Sequence, residues 1–128
     1  MYNIYMIKNI LVLSIIFLLV DSGYLFLMKD NFNKLVKLVQ NESLKLNIVY
    51  ALACYVFLIA SIFYFIIGKN ASLQDAFFLG FFIYGVFETT NLAIFKKWDP
   101  VVGSIDVIWG GILFTVSTYL YRTIIQKI

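Results

Sequence analysis

The 128-residue sequence contains no histidine, a single cysteine (Cys54) and a single proline (Pro100). Without histidine there is no Ser-His-Asp triad and no histidine-containing zinc site. One cysteine cannot close an intrachain disulfide. Cys54 lies in the middle of an apolar run, the usual place of a small buried residue rather than of a reactive thiol. Charge is scarce too: 13% of residues are charged and 62% are hydrophobic, against about 25% and about 45–50% in ordinary soluble domains. The ten basic residues all fall outside the apolar runs, where they sit among headgroups, and the formal charge is only +3. That pattern argues against a nucleic-acid surface. The longest polar segment, residues 29–45, is too short to bury a core of its own.

What the sequence does have is four apolar runs, at about 10–28, 46–68, 76–95 and 101–121, and a mean hydropathy of +0.92. At about 1.5 Å per residue each run is long enough to cross about 30 Å of hydrocarbon, so the expectation is a multi-pass integral membrane protein. A cleaved signal peptide competes for the first run, since Lys8 precedes it and Ser22 and Gly23 are small, but apolar character resumes from Tyr24 to Met28 and completes a span. In 29–45, Phe32, Leu35, Val36, Leu38 and Val39 recur at helical spacing beside Lys34 and Lys37, the pattern of a short interfacial helix between spans 1 and 2. Short connections imply alternating directions. The expected fold is therefore all-α, one antiparallel bundle of four transmembrane helices over residues 1–128.

Alternation allows depth to be counted. Let side A hold both termini and side B hold 29–45 and 96–100. Asp21 and Glu88 each lie seven residues before the side-B end of their spans, about 10 Å deep, and Asp106 lies five residues into the fourth span, about 8 Å deep. Three carboxylates thus share one layer, with no Lys or Arg at that depth. They cannot all stay ionised cheaply in that setting, so the layer calls for protons, water or a bound cation. Side B carries six basic residues against four on side A, which leans toward side B facing the cytoplasm.

Helical spacing adds neighbours: Tyr24 to Asp21, Trp109 to Asp106, Tyr84 and Asn91 to Glu88. The first and fourth spans repeat the form Asp-x-x-aromatic. With Thr90, these residues make the candidate ligand- or cation-binding set: Asp21, Tyr24, Tyr84, Glu88, Thr90, Asn91, Asp106 and Trp109. Polar residues in spans also serve as hydrogen-bonding glue between helices, typically worth about 0.6–2 kcal/mol per contact. For Thr89, Thr90, Ser104 and Tyr84 that reading has the better claim. Three acids in one layer favour a site.

The chain resembles the small bacterial membrane-protein family known as domain of unknown function 2177. Asp21, the segment Ser72 to Ala76, the run Gly80-Phe-Phe-Ile-Tyr84-Gly85-Val-Phe-Glu88-Thr-Thr90-Asn91, and Trp98-Asp99-Pro100 followed by Asp106-Val-Ile-Trp109-Gly110 carry the resemblance. The family's usual Tyr-Asp-x-Thr-Asn stands here as Phe87-Glu88-Thr89-Thr90-Asn91, which lengthens the carboxylate by one methylene. Its Asp-x-x-Trp-Leu stands as Asp21-Ser-Gly-Tyr24-Leu25, with a phenol for an indole. The resemblance implies the fold and the site residues and brings no reaction with it.

Three functions fit these residues: an acidic site that binds or transports a cation, a proton or a small ligand; a membrane enzyme working on a lipid or isoprenoid-like substrate by acid catalysis; and an accessory or structural protein whose acids lock helices or seat a partner. No nucleophile motif, phosphate loop or metal-ligand spacing singles out a reaction, and no cofactor is implied. The expected partners are the lipid bilayer and a cation, proton or lipid ligand, and a through-path would need a homo-oligomer.

Overall fold

The computed structural model describes residues 2–128 and contains four long helices and, among the described residues, no strand. Helix α1 spans Tyr2–Gln40, α2 spans Ile48–Ile62, α3 spans Leu73–Ile94 and α4 spans Pro100–Ile125. A π-helical segment, Phe63–Ile67, continues α2. All four are long and apolar enough to cross a membrane. Their starts follow from local chemistry: the Asn47 side chain accepts from the Val49 and Tyr50 amides, the Ser72 hydroxyl from Asp75, and Asp99 from Val101, with Pro100 at the first turn of α4.

Two expectations need correcting. Cys54 is exposed on α2 rather than buried. Residues 29–40 do not form a separate interfacial helix; they are the last three turns of α1, which runs without a break for 39 residues. Nothing between Met28 and Gln40 is a proline or a glycine, and a backbone hydrogen-bond ladder does not end because its surroundings change from lipid to water. At about 58 Å, α1 is nearly twice as long as the hydrocarbon is thick, and about 18 Å of it stands beyond the first span. The chain then reverses at Asn41, whose φ of 61° ends the helix in a left-handed turn.

Helix α4 is the centre of the bundle, packed closely along α3 and also along α1. Its contact with α3 is one of backbones. A Cβ placed on Gly80 would run into the carbonyl of Gly110, and one placed on Gly110 would run into the ring of Tyr84. Such close approach is what small residues permit in membrane bundles, where packing rather than water exclusion joins helices. Leu13, Phe17, Leu113 and Phe114 are fully buried between α1 and α4, with Ile62 of α2 and Ala76 of α3 completing the core. The outer surface is covered by exposed Leu, Ile, Val and Phe, as a lipid-facing surface should be.

Candidate functional site

The buried face of α1 continues from Leu13 and Phe17 through Asp21 to Tyr24 at steps of three and four residues, so the same stripe that packs the core carries the first acid inward. Asp21, Glu88 and Asp106 are only 4%, 2% and 6% exposed. No Lys or Arg comes within 4.0 Å of any of the three among the described residues.

Their donors are aromatic. The two Asp-x-x-aromatic motifs lie on antiparallel helices and bond across to one another. The Tyr24 phenol of α1 donates to Asp106 Oδ1 of α4 at 3.1 Å, and the Trp109 indole of α4 donates to Asp21 Oδ1 of α1 at 2.9 Å. Between these bonds the Tyr24 and Trp109 rings stack, with centroids 4.5 Å apart and planes 5° from parallel. Tyr55 of α2 donates to the other oxygen of Asp21 at 2.5 Å. The Trp98 indole, in the turn between α3 and α4, donates to Glu88 Oε1 at 2.7 Å.

Glu88 reaches α4 over Gly103, where a side chain would crowd it: a Cβ there would stand 3.1 Å from Oε1. This sets the Glu88 carboxyl on the face of α4 that carries Asp106, one turn on. The second oxygens of the two acids accept from no donor among the described residues. Asp21 is connected to this pair through the Tyr24–Trp109 stack, and no group of three acidic, Cys or His side chains suited to one metal ion is found among the described residues.

The other residues singled out from sequence fall in two groups. Tyr84 packs its ring on Gly110 and edge-on to Phe114, beside the acids but without a hydrogen bond from its hydroxyl among the described residues. Asn91 is half-buried and Thr90 is exposed, and neither side chain bonds to the acids among the described residues. Tyr55 and Trp98 take part without having been singled out. Tyr55 lies seven residues from the start of α2 on side B, about 10 Å deep, so the depth count that aligned the acids would have found it had it been applied to phenols. Trp98 appeared only within the segment Trp98-Asp99-Pro100 that carries the family resemblance, which says nothing of a bond to Glu88. In chemical terms the site is two hydrogen-bonded groups, Tyr24 with Asp106 and Trp109 with Asp21 and Tyr55, joined by the Tyr24–Trp109 stack, with Glu88 held by Trp98 beside the first.

No curated protein and no solved structure matches the chain. Residues 6–122 match the family described as predicted membrane protein, domain of unknown function 2177. The match takes in all four helices and every acid, phenol and indole of the site, and the chain, a multi-pass integral membrane protein, belongs to that family.

Proposed function

We propose that this membrane protein binds a single positive charge, a proton or a monovalent cation, between Glu88 and Asp106. The observation that carries the reading is a pair of carboxyls, 2% and 6% exposed, on facing helices, with Glu88 packed over Gly103 one turn from Asp106 and no basic side chain among the described residues to neutralise them. Two ionised carboxylates side by side in a low-dielectric interior repel by several kcal/mol, and a shared proton or a bound cation removes that repulsion. Each acid has one oxygen held by an indole or a phenol, which leaves the other free to share a proton or an ion. Asp21, with both oxygens already accepting, orients Trp109 against Tyr24.

The test is infrared spectroscopy of the purified full-length protein in lipid at neutral pH, with sodium, potassium and no added alkali cation compared. A bound proton gives a protonated-carboxyl C=O stretch that disappears in Glu88→Gln and in Asp106→Asn. A bound cation gives no such band and raises thermal stability with one of the two ions, an effect lost in the same variants. A wild type with neither the band nor any ion-dependent stabilisation overturns the proposal and leaves the acids as ties between helices.

A further inference from the structure

A second feature lies outside the acid layer, where the last turns of α1 face the turn between α3 and α4. Two adjoining cavities of about 490 and 250 Å³ share Leu38, Asn41 and Lys97 and form one groove. Lys34, Lys37, Lys96 and Lys97 line it, and all four are exposed. None of these ammonium groups has a carboxylate within 4.0 Å among the described residues, although Asp30 stands one turn before Lys34. Beside the lysines the groove is apolar: Leu38 is 54% exposed and Phe95 38%.

Position decides what this surface meets. It begins where α3 ends at Ile94 and follows the part of α1 that stands beyond the first span, so it lies on the headgroup side of the bilayer. Four cations on both sides of an apolar trough match an amphiphile with a negative head, the phosphate between the lysines and glycerol and upper acyl carbons along Leu38 and Phe95. A water-soluble anion would have no use for the apolar floor, and a zwitterionic lipid would bring its own cation against the lysines. We propose that this groove binds the phosphate of an anionic phospholipid and so fixes the protruding end of α1 against the α3–α4 turn.

The experiment is native mass spectrometry of the intact protein in detergent, titrated with phosphatidylglycerol and, separately, with phosphatidylcholine. Phosphatidylglycerol is expected to bind more tightly, and Lys34→Gln, Lys37→Gln and Lys97→Gln each to weaken it about fivefold, the usual worth of one lysine near an anionic surface. Lys127→Gln, at the opposite end of the bundle, and Glu88→Gln, in the acid layer, are expected to leave it unchanged. None of the three groove lysines is buried, so their replacement leaves the core intact. Equal binding of the two lipids, or equal effects of Lys97→Gln and Lys127→Gln, overturns the proposal. So does complete displacement of phosphatidylglycerol by millimolar inorganic phosphate, which would make the groove a site for a soluble anion.

Discussion

Tyr24 and Trp109 each donate to the aspartate that belongs to the other's motif, and their rings stack between those two bonds. Reciprocity follows from antiparallel packing, because Asp-x-x-aromatic read upward on α1 and downward on α4 sets each aromatic opposite the other helix's acid. Tyr24→Phe keeps the stack and removes the donor to Asp106. It is expected to lower unfolding free energy in detergent by about 1 kcal/mol, and an unchanged melting curve would show that the bond contributes nothing.

Tyr55 forms the one side-chain hydrogen bond from α2 to another helix among the described residues. Tyr55→Phe should therefore loosen α2 in particular. Hydrogen exchange of the amides in 48–62 is expected to speed up while exchange along the α3–α4 contact stays as it was. Uniform acceleration over all four helices would contradict the assignment.

Asp21 and Glu88 should respond differently to loss of charge. Asp21 accepts at both oxygens, so Asp21→Leu strands the Tyr55 hydroxyl and the Trp109 N–H together and is expected to cost about 2–4 kcal/mol. Glu88→Gln keeps an acceptor for Trp98 and supplies an amide donor toward Asp106, so it is expected to cost less than about 1 kcal/mol. Thermal unfolding in one detergent checks both; a larger loss at Glu88 would reverse the roles given to the two acids.

Glycines test the packing. Gly80→Ala sets a methyl group against the Gly110 carbonyl and is expected to destabilise by about 1–3 kcal/mol. A Cβ on Gly23 would meet nothing within 4 Å, so Gly23→Ala is expected to be neutral or to stabilise α1 by about 0.5–1 kcal/mol through helix propensity. Equal melting temperatures for the two variants would mean that α3 and α4 do not meet at Gly80 and Gly110.

Ser117 gives the opposite case. It is fully buried, and its hydroxyl has no hydrogen-bond partner among the described residues. Ser117→Ala removes an unsatisfied polar atom and is expected to leave stability unchanged or raise it by about 1 kcal/mol. A clear loss in the same unfolding assay would show that the hydroxyl has a partner in the membrane.

The four spans and the counted depths of Asp21, Glu88 and Asp106 were legible in the sequence. Those properties depend on hydropathy and on a fixed rise per residue, which need no knowledge of neighbours. The sequence misled at residues 29–40, where a change from apolar to amphipathic composition marks departure from the hydrocarbon and not the end of a helix. Which donor serves which acid came from the packing of the helices against one another. Tyr55 and Trp98 bond to the acids while Thr90 does not, because the rotation of each helix about its axis depends on the neighbours it packs against, as that of α3 does on α4 at Gly80 and Gly110. Periodicity along one helix records which face turns away from lipid. It does not record what the opposite helix brings to that face.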